Sequence, residues 1–180
     1  MSSPPLGGAV QGRQVTELDP QPHRRRRIQL DRHANALAWS EGYGDLWMTN
    51  FDYHSVSRLH AETGKVKPFE SVAKMNPGPL VVEDDSVWFG DWNVPEVVRL
   101  PAVRSGPPLH VPLRVKVQRA GVTSVAAGAG AIWATVPDDH AVWRIDPRTN
   151  RATRIEIGYY PWGVAVSDDG IWVATRANDV

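Results

Sequence analysis

Short apolar runs separated by polar turns fill this 180-residue chain, and none of them follows the 3.6-residue period of an amphipathic helix. Four runs carry a tryptophan in the same local setting: Asp-Leu-Trp-Met-Thr (45–49), Ser-Val-Trp-Phe-Gly (86–90), Ala-Ile-Trp-Ala-Thr (131–135) and Gly-Ile-Trp-Val-Ala (170–174). Trp47, Trp88, Trp133 and Trp172 are spaced by 41, 45 and 39 residues. About eight residues before the Trp lies another apolar run, as in Leu80-Val81-Val82, Val125-Ala126-Ala127 and Val164-Ala165-Val166. Between the two stand Glu83-Asp84-Asp85, Gly128-Ala129-Gly130 or Ser167-Asp168-Asp169-Gly170, residue types that accept the positive φ of a tight hairpin. A third run follows the Trp: Val56-Ser57-Arg58-Leu59, Val97-Val98-Arg99-Leu100 and Val142-Trp143-Arg144-Ile145. Turns such as Glu62-Thr63-Gly64-Lys65 then lead to a fourth, as in Arg154-Ile155-Glu156-Ile157.

Four short antiparallel strands in a unit of about 40 residues predict an all-β fold, a β-propeller of four-stranded blades. The tryptophan strands are apolar on both faces, as a sheet sandwiched between sheets requires, so the four tryptophans read as packing between blades. The third strands alternate more clearly, which predicts a place nearer the wet rim. Complete blades fall at about 35–70, 78–113 and 122–157. Val15-Thr16-Glu17-Leu18 matches Val56-Ser57-Arg58-Leu59 at an offset of 41, making 14–30 a half blade with the last two strands. Residues 161–176 supply the first two strands of another, and 1–13 read as a flexible leading segment of the 14–180 propeller. Three complete blades and two complementary halves permit a closed four-bladed ring, in which the halves zip together. They equally permit a fragment of a larger ring. The stop at Arg176-Ala177-Asn178-Asp179-Val180, where the next third strand begins, favours the fragment.

Formal net charge is zero, which predicts no general attraction to nucleic acid or to an anionic membrane. The run Arg24-Arg25-Arg26-Arg27 reads as an edge strand kept soluble by charge. The chain has no cysteine, which excludes disulfides, thiolate metal sites and a cysteine nucleophile. The start, Met-Ser-Ser-Pro-Pro-Leu-Gly-Gly-Ala-Val, lacks the apolar core of a secretory signal, and no apolar stretch is long enough to span a bilayer. As written the chain is expected in the cytoplasm, or outside it if the natural N-terminus is missing.

The unit "Val-Ala-Val … Gly-Ile-Trp-Val-Ala … Val-x-Arg-Ile-Asp-Pro-x-Thr-Asn" resembles the bacterial propeller repeats called YVTN or NHL-like. It is also similar to the repeats of streptogramin (virginiamycin B) lyases, with their Leu-Trp-Phe-Thr-Glu and Ile-Gly-Arg-Ile strands. The resemblance runs over residues 14–176 and rests on structural positions. It implies a ring of six or seven blades. For the lyase members it implies metal-dependent opening of a cyclic lactone by His and Glu residues, which do not map onto this sequence.

The loops between strands two and three, and between strand four and the next strand one, share one face of a propeller. Here they hold Asn50-Phe51-Asp52-Tyr53-His54, Gly90-Asp91-Trp92-Asn93, Val136-Pro137-Asp138-Asp139-His140, Asp31-Arg32-His33-Ala34-Asn35, Lys74-Met75-Asn76-Pro77 and Gly158-Tyr159-Tyr160-Pro161-Trp162. His54 and His140 both stand seven residues after their Trp, the place held by Pro95 and Asp179 in other units. Were such positions to converge with Asp52, Asp91 and Asp138, imidazole and carboxylate groups would ligate a divalent ion or act in acid–base chemistry. The first expectation is a non-enzymatic binding or scaffold module without a cofactor. It would recognise a small polar ligand or a protein through Asp52, Tyr53, His54, Asp91, Trp92, Asp138, His140 and Tyr160. The alternative is a lyase-like enzyme opening a cyclic ester, using His54, His140 and Asp138 with Mg²⁺ or another divalent ion. An incomplete ring would also leave blade edges open to self-association.

Overall fold

The structure, a computed structural model, describes residues 12–18, 25–69, 75–102, 106–117 and 119–176. Three four-stranded antiparallel sheets are present. The first comprises β3 (Ala36–Ser40), β4 (Asp45–Asn50), β5 (Ser55–His60) and β6 (Val66–Phe69). The second comprises β7 (Pro77–Glu83), β8 (Ser86–Asp91), β9 (Glu96–Pro101) and β10 (Leu109–Pro112), and the third β11 (Ser124–Gly128), β12 (Ala131–Val136), β13 (Ala141–Ile145) and β14 (Ala152–Glu156). Two-stranded sheets flank them: β1 (Gly12–Leu18) with β2 (Arg25–Ala34), and β15 (Tyr160–Ser167) with β16 (Gly170–Arg176). Strands pair in chain order, and the first strands β3, β7, β11 and β15 touch one another in series around a common axis. The two halves form separate sheets, so a four-bladed ring closed by their zipping is not what the chain adopts. β1 and β2 pack on the first complete blade through Val15, Leu30 and Ala34 against Met48 and Leu59.

The tight turns are built as the residue types require. Asp84, Ala129 and Gly130 take positive φ in the hairpins between first and second strands, and Gly64 and Asn150 do so between third and fourth. The second strands β8 and β12 are buried at every position. The third strands are nearly as deep, which corrects the expectation of a wet rim there. Ser57, on the polar face of β5, is buried because its hydroxyl donates to Asn50 Oδ1 at 2.6 Å. It is the fourth strands, β6, β10 and β14, that face water.

Three of the four repeat tryptophans are covered by the blade that follows. Trp47 packs on Val87, Phe89, Leu100 and Ala102, Trp88 on Ile132, Ala134 and Ile145, and Trp133 on Val164, Val166, Ile171 and Val173. Their exposures are 0, 1 and 8 %, whereas Trp172 is 65 % exposed, and among the described residues no following sheet covers it. Three of the four are therefore inter-blade packing and the fourth is not. Trp143 is also buried, and it donates its indole N–H to Asp139.

Two further contacts recur at fixed distances from the Trp. Thr49 and Thr135, two residues after it, donate to the carbonyls of Gly78 (2.8 Å) and Trp162 (3.4 Å) in the next blade. Arg58 and Arg99, eleven residues after it, lie cross-strand from Trp47 and Trp88 with the guanidinium over the ring. They reach the next blade's Ala102 and Pro147 carbonyls at 3.2 and 2.8 Å. Where β1 has Glu17 at the equivalent place, its cross-strand partner Arg26 supplies the cation and bonds the Ala61 and Glu62 carbonyls. That residue of the arginine run is an inter-blade clamp as well as a surface charge; Arg24 lies outside the described residues.

Candidate functional site

The loops after the second strands carry the candidate residues, and local backbone geometry fixes where they stand. In the first and third complete blades the chain leaves the Trp strand through a 3₁₀ turn, Phe51–Tyr53 and Pro137–Asp139. The next residue, His54 or His140, closes the turn in the left-handed region at φ 48° or 51°. Its N–H donates back to the Phe51 or Pro137 carbonyl at 3.1 and 2.9 Å. Histidine is among the side chains that tolerate this conformation, so a backbone requirement accounts for the shared position.

The two imidazoles do different things. His54 Nδ1 donates to the Met75 carbonyl at 2.5 Å, bracing the connection into the second blade. The His140 ring meets Tyr160 edge-on at 4.8 Å, and the Tyr160 hydroxyl donates to Asp138 at 3.1 Å. That bond to a carboxylate raises the Tyr160 phenol above its ordinary 10.0. The histidines belong to the first and third complete blades, with β7–β10 between them.

Asp91 is buried, and its carboxylate accepts the backbone N–H groups of Asn76 (2.9 Å), Asn93 (2.7 Å) and Val94 (3.2 Å). It is a loop staple. Asp52 accepts from His33 Nδ1 at 3.3 Å, while His33 Nε2 accepts from Arg13 at 3.2 Å. Arg32 lies over the Tyr53 ring at 5.3 Å. Sequence reading placed Arg32 and His33 in a loop; they sit in β2, which runs on to Ala34 and brings them beside the 3₁₀ turn. Asn50 and Asn35 were missed: Asn50 Nδ2 donates to the His33 carbonyl and Asn35 Oδ1 accepts from Phe51 N–H. Nothing but the Asx preference for turns signals them.

Among the described residues no three His, Asp or Glu side chains gather as a metal-binding group. Asp91 accepts three backbone N–H groups, and His54 donates one ring N–H to a carbonyl. Lys74 and Asp179 lie outside the described residues.

Trp92 has the most defined setting. It follows the Asp91 staple, its N–H donates to the Asn76 carbonyl, and its indole lies against Gly78. A Cβ at Gly78 would fall 1.8 Å from Trp92 Nε1, and one at Gly121 would fall 1.8 Å from the Trp92 carbonyl. Two glycines thus leave room for the ring and its backbone. The indole remains 44 % exposed. Tyr159, just before β15, and Trp162, near its start, are both exposed, with Arg176 over Trp162 at 4.5 Å. On the opposite face a cleft of about 480 Å³ lies between the Trp39–Tyr43 and Val82–Asp85 turns, bridged by the Tyr43 hydroxyl on Asp85.

No family model and no curated protein sequence matches the chain. Solved structures do. Virginiamycin B lyase from Staphylococcus aureus superposes with a TM-score of 0.78 at 19 % identity, over 92 % of this chain and 57 % of the lyase chain. The chain has the β-propeller fold. A catalytically inactive His-to-Ala variant of that lyase, solved with quinupristin, gives 0.74 at 20 % identity over 91 % of this chain and 56 % of its own. A chain of the nidogen/laminin complex gives 0.72 at 11 % identity, over 90 % of this chain and 64 % of that one. The propeller therefore spans somewhat more than half the length of the lyases it matches, and its neighbours include both a lyase and a chain of the nidogen/laminin complex. No helix among the described residues is long and apolar enough to cross a membrane.

Proposed function

We propose that this propeller is a non-enzymatic recognition module whose loop face holds a small polar ligand with a flat side stacked on Trp92. The observation that carries the reading is the state of Trp92: half-exposed, lying on Gly78, in a loop stapled by three backbone bonds to Asp91. A preorganised ring loses little conformational freedom when it stacks, and polar groups beside it set orientation. His33–Asp52 with Tyr53, and His140–Tyr160–Asp138, supply such groups on neighbouring blades. The test is calorimetric titration with a panel of soluble oligosaccharides and short aromatic peptides. A binder should weaken about tenfold or more on Trp92→Ala, roughly the stacking contribution of one ring. Binding unchanged by Trp92→Ala contradicts the reading.

A second reading has one observation of its own. His140, Tyr160 and Asp138 adjoin in a chain of contacts, and the lyases of like fold include one inactivated by loss of a histidine. A lyase-like activity would open quinupristin in the presence of Mg²⁺, with a ring-opened product visible by mass spectrometry. The recognition reading predicts unchanged quinupristin.

A further inference from the structure

A groove lies away from the loop face, between the second and third complete blades. There the end of β10 and the residues after it face the turn that joins β13 to β14. Its volume is about 420 Å³, within the range of small-ligand pockets. Val111, Pro112 and Ala152 give it an apolar surface, and Val111 continues inward to the buried Trp143. Arg114 stands on the wall that the second blade contributes, and Arg151 on that of the third. No carboxylate is among the described residues that line it. Both walls are braced before anything binds. The Asp146 carboxylate accepts the N–H groups of Arg148 and Thr149 at 2.8 and 3.0 Å, and the Asp146 N–H donates to the Arg151 carbonyl at 3.0 Å. Arg99 reaches across from the second blade to the Pro147 carbonyl and Asn150 Oδ1, at 2.8 and 3.4 Å. On the other wall the Leu113 N–H donates to the Pro95 carbonyl and the Val115 N–H to that of Leu113, both at 2.8 Å. These bonds hold the backbone on either side of Arg114. Arg58, Arg99 and Arg154 each spend their guanidinium on carbonyls or carboxylates of the fold. Among the described residues Arg114 and Arg151 make no such bond, and both are exposed.

We propose that this groove docks a short acidic segment of a partner protein. Two carboxylates of the segment pair with Arg114 and Arg151, and an apolar side chain between them rests on Val111 and Ala152. Charge complementarity selects the occupant. A guanidinium matches a carboxylate with two parallel hydrogen bonds, and one from each wall fixes the segment across the groove. The apolar floor between the two cations suits a side chain and gives nothing to a uniformly hydrophilic polyanion. With a formal net charge of zero, the molecule as a whole adds no general pull on nucleic acid. The fold makes no use of these two arginines, so their removal reads on binding rather than on stability. This inference is independent of the Trp92 platform.

Fluorescence anisotropy on the purified full chain tests it, with a dye-labelled Gly-Glu-Leu-Glu-Gly peptide as the probe. That peptide should bind, more weakly as salt is raised, and its Gly-Gln-Leu-Gln-Gly counterpart should not. Arg114→Ala and Arg151→Ala should each weaken binding about tenfold, the order of one charge-assisted pair, with the melting temperature unchanged. Arg148→Ala, on the same turn but outside the groove lining, should leave binding as it was. Four results would each overturn the proposal: no binding of the Glu peptide, equal binding of both peptides, an Arg148→Ala loss as large as that of Arg151→Ala, or tighter binding of a single-stranded oligonucleotide of the same charge.

Discussion

His54 and His140 occupy the left-handed region, where a β-branched side chain is strained and Asn or Gly is not. His54→Asn should therefore lose only the bond to the Met75 carbonyl, about 0.5–1.5 kcal/mol, whereas His54→Val should lose on the order of 1–3 kcal/mol more, measured by urea unfolding. Their common spacing was legible in the sequence, but its meaning was not. A residue fixed by φ and a residue fixed by chemistry leave the same trace in a repeat, and only the backbone torsion separates them. Tyr160 titrates in a direction its surroundings set. Its phenol is raised by the hydrogen bond to Asp138, so the stabilisation is complete below pH 10 and is lost as pH rises through the raised folded value. Ultraviolet titration should find one tyrosine ionising late, and Asp138→Asn should bring it back toward 10.0. Asp146 behaves oppositely. The Thr149 and Arg148 N–H groups hold its carboxyl below the usual 3.8, so the turn it caps keeps this contribution above that value and loses it on further acidification.

Strands were legible because alternation, turn residues and the Trp period all agree, and each of the second strands is where that period puts it. The tryptophan packing between blades was legible too, but the hydrogen bonds that join one blade to the next were not. The Thr two residues after Trp and the Arg eleven after it read as ordinary strand residues until the structure carries both across to carbonyls of the next sheet. These bonds serve the elements as a latch and a clamp. Thr49→Val keeps the shape, but removes the donor to the buried Gly78 carbonyl. It should cost about 1–3 kcal/mol, read from the denaturation midpoint at constant slope. Gly78→Ala tests another inter-element contact. Its methyl would occupy the Trp92 indole's place, so Trp92 fluorescence should shift to the red as the ring is expelled into water. An unshifted spectrum would remove the platform from the account.

At the scale of the molecule, the arc is a series of sheets in which each blade completes the core of the one before. Tryptophan burial records this directly, running from complete at Trp47 and Trp88 to 65 % exposure at Trp172. Neighbour-dependent stability of this kind is general to repeat architectures. Trp88→Ala should thus cost about 3–5 kcal/mol, the range for truncating a buried aromatic. The recognition proposal sits on the same frame, because Trp92 stands four residues beyond a buried Trp yet points into solvent. Hydroxyl-radical footprinting of all eight tryptophans, resolved by peptide mass spectrometry, tests the frame and the platform together. The account predicts strong labelling of Trp92 and Trp162, none at Trp47 and Trp88 and little at Trp133. Labelled Trp47 or Trp88, or a protected Trp92, would contradict it.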